Sequence, residues 1–199
     1  MSTNIDNYRN EMKKHIGSLA GLDNKLWKNI NSRLHYEELP KYSIITKTGE
    51  VENHIYALMD GVVRLYYEFG KSEYTLRFNF PISFFSAYAS FISRQPAYMN
   101  IETLTPVKLF KMSFNECEEL YSKFPLAETI RRKIVEHFYM QREIKEISIH
   151  TKTAEENYYD LFSQNPEVIH QVPLKHIASY LGITPESLSR IRSRQSKKI

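Results

Sequence analysis

The sequence predicts an α+β fold: an N-terminal antiparallel β-roll of the cupin or jelly-roll kind flanked by helices, then a long helix suited to dimerisation, then a small helix-turn-helix domain. Three observations carry this. Between residues 37 and 112, β-branched and aromatic residues come in short runs separated by turn residues, as expected of many short strands in an antiparallel barrel or roll. From Pro125 to about Ile149, apolar residues recur at spacings of three and four, which makes one long helix. From Val172 to Arg194 the chain reads as two short helices joined by a tight turn.

In chain order, residues 4–34 are expected to be helical, with Asp23 capping a helix whose apolar face is Leu26, Trp27, Ile30 and Leu34. The expected strands are Tyr42–Thr46, His54–Met59, Val62–Glu68, Tyr74–Phe80, Tyr98–Leu104 and Val107–Met112. Asp60-Gly61 between two of them signals a hairpin, and Gly70-Lys71 marks another turn. Thr48-Gly49-Glu50 and Thr105-Pro106 punctuate the rest. Ser113-Phe-Asn-Glu116 is a capping box opening a short helix with Cys117, Leu120 and Tyr121. Cys117, the single cysteine, reads as a small apolar filler.

The long helix starts at Phe124-Pro125 and carries Leu126, Ile130, Ile134, Phe138, Gln141, Ile144 and Ser148 as a stripe. Such a stripe suits pairing with a second copy of itself, and Ile130, Ile134, Phe138, Gln141 and Ile144 would then line a dimer interface. The alternative is that it packs on the chain's own roll. Thr153-Ala-Glu-Glu156 is a second capping box, opening a helix with Tyr158, Leu161 and Phe162 on one side and ended by Asn165-Pro166. A boundary is therefore expected near His150–Thr153, dividing the chain into residues 1–150 and 151–199.

The final stretch carries the most chemistry. Leu174, Ile177 and Leu181 give its first helix an apolar stripe, and Ala178 on that side lets a second helix come close. Gly182 falls where a helix ends in a left-handed conformation. Thr184 supplies an N-cap hydroxyl and Pro185 fits the first position of the second helix. At 100° per residue, Leu188 and Ile191 face the first helix, leaving Glu186, Ser189, Arg190 and Ser193 outside. Arg190 suits the O6/N7 edge of guanine and Glu186 the N4 amino group of cytosine. Arg192 and Arg194 lie on the flanks and suit phosphates. Lys175, Thr184, Pro185 and Ser187 complete the candidate contact set. The bland alternative is a helical hairpin with a solvated charged face.

Charge favours a polyanion. Residues 173–199 hold six Lys/Arg, including Lys197 and Lys198, against Glu186 alone, whereas the first 172 residues sum to −1. No Ser/His/Asp or Cys/His arrangement, glycine-rich phosphate loop or metal-ligand cluster stands out, so an enzyme is not expected. With no N-terminal signal pattern and no apolar run near 18 residues, a cytoplasmic protein is expected, without a membrane partner. The final Ser-Lys-Lys-Ile is expected to fray.

In this order, a helical lead-in, a roll, one long helix and a helix-turn-helix resemble the Crp/Fnr family of bacterial transcription regulators. The residues that carry the resemblance are Gly49-Glu50 and Ile55-Tyr-Ala-Leu-Met-Asp-Gly-Val-Val-Arg-Leu65 in the roll, and Ile177 to Ile191 in the tail. The resemblance implies a homodimer joined along the long helix. Its two recognition helices would enter successive major grooves of near-palindromic double-stranded DNA, with RNA polymerase as a further partner. Glu186 and Arg190 match a Glu and an Arg that read bases in the family. Pro185 stands where the family has an Arg, so a different preferred sequence is implied. The family's β-hairpin wing is expected to be missing after Arg194, with the basic tail in its place.

The sensor half departs further from the family. Cyclic-nucleotide-binding members carry a Gly-Glu-Leu turn and an Arg followed by a small residue. In the corresponding segment here, Phe84 to Tyr98, the Glu position holds Phe or Ser. The Arg position aligns with Gln95, and Arg94 is one residue out of register. A phosphodiester anion taken from water needs a fixed positive partner, so cyclic AMP is disfavoured. Phe84, Phe85, Ser86, Tyr88, Gln95 and Tyr98 are the candidate pocket residues, suited to a smaller or more apolar effector, or to a filled interior with no ligand. The cysteine cluster of oxygen-sensing members is missing, and the seven histidines show no haem or metal ligand spacing, so no cofactor is expected. A second class of function remains open: a ligand-binding or scaffold protein whose C-terminal helices contact another protein.

Overall fold

A computed structural model describes residues 2–166 and 168–195. The chain opens with helices α1 (Ser2–Ala20) and α2 (Asn24–Asn31). Asp23 caps α2 by accepting a hydrogen bond from the Leu26 amide at 2.7 Å. Met12, Ile16, Leu26 and Ile30 from these helices share one core with Ala57, Met59 and Phe110 of the roll.

The roll is built from β1 (His35–Leu39), β2 (Ile44–Thr46), β3 (His54–Asp60), β4 (Val63–Phe69), β5 (Ser72–Asn79), β6 (Ser83–Phe85), β7 (Asn100–Thr103) and β8 (Val107–Ser113), with α3 (Tyr88–Ser93) between β6 and β7. The strands pair antiparallel in two four-stranded sheets ordered β1-β8-β3-β6 and β2-β7-β4-β5, which is jelly-roll topology. Tyr56, Leu58, Val63, Leu65, Phe85 and Leu109 fill the space between the sheets.

Two strands lie outside the expected runs. β1 (His-Tyr-Glu-Glu-Leu) lacks β-branched residues and is held by pairing with β8, including an ion pair of Glu37 with Lys111 at 2.9 Å. β6 spans only three residues. Asp60-Gly61 is not the expected hairpin, because β3 and β4 belong to different sheets and the dipeptide is the corner between them. Gly61 sits at φ +87°, where an added Cβ would lie 2.3 Å from the Pro106 carbonyl oxygen. Gly70 does close a hairpin, between β4 and β5.

Both capping boxes form: Ser113 with Glu116 opens α4 (Phe114–Lys123), and Thr153 with Glu156 opens α6 (Ala154–Gln164). Between them runs the 27-residue α5 (Pro125–Thr151). After α6 come α7 (Val168–Gln171), α8 (Leu174–Leu181) and α9 (Pro185–Gln195).

The expected stripe on α5 divides along its length. Ile130 is buried, and Ile134 is half-buried, in the core under α1 and α4. Phe138 is half-buried under Arg77 of β5, 4.8 Å away. Gln141 and Ile144 are exposed, and the open large apolar side chains of this half are Tyr139, Met140, Ile144, Ile147 and Ile149, of which Met140, Ile144 and Ile147 share one face. At 100° per residue Ile144 lies about 40° round the helix from Ile130, on nearly the same face, so what separates them is how far the chain's own core extends along α5. Ile130 is thus an internal core residue and not the interface residue expected, while Ile144 lies on the part of α5 that the chain's own core leaves exposed.

The C-terminal helices share a core with the roll. Tyr158, Leu161, Val168, Val172, Ile177, Ala178, Leu188 and Ile191 form one apolar cluster with Val62, Phe78 and Leu104. Lys197, Lys198 and the rest of the expected basic, frayed end lie outside the described residues.

Candidate nucleic-acid interface

Helices α8 and α9 form the expected helix-turn-helix. Gly182, at φ +69°, ends α8 in the left-handed region, and the Ile183 amide reaches back to the Ala178 carbonyl at 3.0 Å. Thr184 Oγ1 accepts from the Ser187 amide at 3.2 Å and so caps α9, which begins at Pro185. Leu188 is fully buried and Ile191 nearly so, in one cluster with Ile177 and Ala178. At roughly 1.5–3 kcal/mol for each large apolar side chain buried, these contacts fix how α9 sits on α8.

That packing leaves Glu186, Ser189, Arg190 and Ser193 exposed on the outer side of α9. Hydrogen bonds from its own backbone amide and from Thr184, with Arg190 nearby, hold the Glu186 carboxyl below its ordinary pKa, so it is ionised. Lys175 and Thr184 are exposed as well. Three candidates point elsewhere. Ser187 is half-buried and its hydroxyl lies 3.2 Å from that of Thr184, inside the cap. Arg192 is half-buried beside the Tyr158 phenol. Arg194 is exposed but reaches Glu155 of α6 at 3.5 Å. Arg192 and Arg194 thus face α6, away from the outer side of α9.

Residues not anticipated from the sequence dock α8 on the roll. Tyr180 of α8 packs its ring 5.4 Å from that of Phe78 in β5, under Lys145 of α5. Ser179 hydrogen-bonds the backbone of β5. His176 is buried close to Arg64, Lys175 and Glu73. An aromatic and two polar groups on the side of α8 away from α9 were the available signal.

The candidate effector residues do not converge. Phe85 is buried between the sheets and stacks on Tyr56 with centroids 5.0 Å apart, whereas its neighbour Phe84 faces the other way, 5.6 Å from the His15 ring. Adjacent strand residues point to opposite faces, so the pair cannot line one pocket. Ser86 is buried and donates to the His54 carbonyl oxygen at 2.9 Å. Tyr88 is half-buried outside the sheets, against Phe91, and Gln95 and Tyr98 are exposed. The pocket proposed from these six residues is corrected accordingly.

Glu52 is a further residue not anticipated. It is 2% exposed and accepts from Thr46 Oγ1 at 2.5 Å, the His54 amide at 2.9 Å and the Tyr56 hydroxyl at 3.3 Å. Arg94, the arginine nearest the family's anion-binding position, donates to the Glu52 carbonyl oxygen at 2.8 Å and lies over Phe114.

Residues 36–124 match the family model described as cyclic nucleotide-binding domain. No curated protein matches the chain in sequence. Among solved structures it is similar to FixK2 from Bradyrhizobium japonicum, with a TM-score of 0.69 at 17% identity over 83% of this chain and 85% of that one. A putative transcriptional regulator of the Crp/Fnr family from Eubacterium rectale gives 0.69 at 17% identity, over 88% and 85%. A CooA variant from Carboxydothermus hydrogenoformans gives 0.64 at 15% identity, over 85% and 79%. The chain thus has the fold of Crp/Fnr regulators. Among the described residues no helix is long and apolar enough to cross a membrane.

Proposed function

We propose, from the premise of a chain with the Crp/Fnr fold, that this protein is a dimeric, sequence-specific DNA-binding transcription regulator rather than an enzyme. The observation that carries it is the division of α9: Leu188 and Ile191 are buried while Glu186, Ser189, Arg190 and Ser193 are exposed. A recognition helix needs this arrangement, with its apolar side locked to its own domain and a hydrogen-bonding side free for base edges. Two copies joined along α5 at Met140, Ile144 and Ile147 would present two such helices to a near-palindromic site. Residues 151–199 act as the DNA-binding unit, residues 1–150 as the roll and dimer helix, and the protein works in the cytoplasm with RNA polymerase.

Cyclic AMP does not suit the roll. Arg94, the nearest arginine to the anion-binding position, is committed to the Glu52 carbonyl oxygen and Asn53 Oδ1 in the β2–β3 segment, so it offers a phosphodiester no free positive partner. Any effector is of another class. Duplex affinity measured against salt tests the main proposal: log K should fall linearly with log salt, by about 0.9 per phosphate neutralised. A salt-insensitive affinity would favour the alternative, a scaffold whose C-terminal helices bind another protein.

A further inference from the structure

β5 is the outer strand of the sheet ordered β2-β7-β4-β5, so its far side presents backbone groups without a strand partner. Ser179 of α8 meets two of them. Its hydroxyl oxygen accepts from the Thr75 amide at 2.9 Å and donates to the Glu73 carbonyl oxygen at 2.8 Å. One side chain thereby substitutes for the donor and acceptor that a neighbouring strand would offer.

The segment it grips is itself held firmly. Arg64, fully buried, donates from Nε to Thr75 Oγ1 at 2.9 Å and from Nη1 to Glu73 Oε2 at 2.8 Å, with its guanidinium 4.1 Å from the Tyr66 ring centroid. On the other side of the contact, α8 and α9 are packed on each other through Ile177, Ala178, Leu188 and Ile191. An edge strand repeats its backbone pattern every two residues, roughly 6.6 Å. The Tyr180 ring on Phe78 and the core shared with Val62 and Leu104 hold α8 against the roll through many contacts, none of which binds a single backbone amide of the strand. The Ser179 hydroxyl, bonded to one amide and one carbonyl, does.

We infer that Ser179 is a positioning residue for DNA recognition: it locks α8 at one place along β5 and thereby sets where, and at what angle, each α9 is presented. In a dimer this fixes the distance between the two recognition helices, and hence the half-site spacing that the protein accepts. This rests on the DNA-binding proposal above.

The test uses full-length wild type, Ser179→Ala and Ser179→Thr. Each is titrated with a duplex recovered by selection, with versions whose half-sites are moved apart or together by single base pairs, and with one isolated half-site. Thr75 amide exchange is measured in parallel. The wild type should show one sharp spacing optimum. Ser179→Ala should lose at least tenfold of the preference for that spacing, keep half-site affinity within about twofold, and exchange the Thr75 amide at least tenfold faster. Ser179→Thr, which keeps the hydroxyl, should restore all three. A Ser179→Ala protein with wild-type spacing preference overturns the positioning role while leaving DNA binding intact. A wild type that binds no duplex overturns the DNA proposal, and this inference with it.

Discussion

The ammonium of Lys145 in the long helix lies 3.7 Å from the ring centroid of Tyr180 in the first helix of the helix-turn-helix. It is one of the places where α5, which would carry the dimer seam, touches the unit that would meet DNA. The same tyrosine packs on Phe78, so long helix, roll and helix-turn-helix join at one ring. Burial pulls the Lys145 amine below its ordinary pKa, which shows how far the group has been drawn out of water.

A cation held against an aromatic face in a partly desolvated site contributes about 1 kcal/mol. Urea unfolding of Lys145→Met, Tyr180→Leu and the double variant should therefore give a coupling energy of about that size. Additive effects would show that the two side chains are merely near one another.

The seam on α5 makes a second prediction. Ile144 is 61% exposed and Met140 52%, whereas Ile130 is 6% exposed in the chain's own core. Ile144→Asp should give folded monomers by sedimentation. Ile130→Asp should lower stability by about 4 kcal/mol, because it puts an unpaired carboxylate in an apolar core. A dimeric Ile144→Asp protein would contradict the placement of the interface.

His176 sets a pH dependence. Burial, with the positive charges of Arg64 and Lys175 adding to it and Glu73 opposing, brings its pKa down to about 4. In the unfolded chain the ring titrates near roughly 6.5. As pH falls through that value the unfolded chain takes up a proton that the folded chain does not. Stability should therefore decline from about pH 6.5 down to about pH 4 and lose nothing more to this residue below that. The melting temperature should fall less steeply over this interval in His176→Gln than in the wild type. Parallel curves would mean that the ring is not held neutral by the fold.

Where local chemistry decides structure, the sequence was legible. Asp23, Ser113-Glu116, Thr153-Glu156 and Gly182 act as read, because a cap or a left-handed turn is settled within four residues. The face of α9 was legible for the same reason. Pairing was not: Asp60-Gly61 carries the residues of a hairpin, yet its flanking strands bond to different neighbours, which only the closed roll decides. Phe84 and Phe85 are alike in type, but the alternation of β6 sends them to opposite faces. The contacts of Ser179 and Tyr180 depend on where α8 meets β5, which no short window encodes.

Selection from a random duplex pool, repeated with Arg190→Ala, tests the central proposal most directly. The wild type should recover a near-palindrome with two equal half-sites. Arg190→Ala should bind it about 1–3 kcal/mol more weakly and accept any base at one position of each half. Recovery of unrelated sequences by the wild type, or an equal loss on every sequence for the variant, would contradict the assignment of α9 as a helix that reads bases.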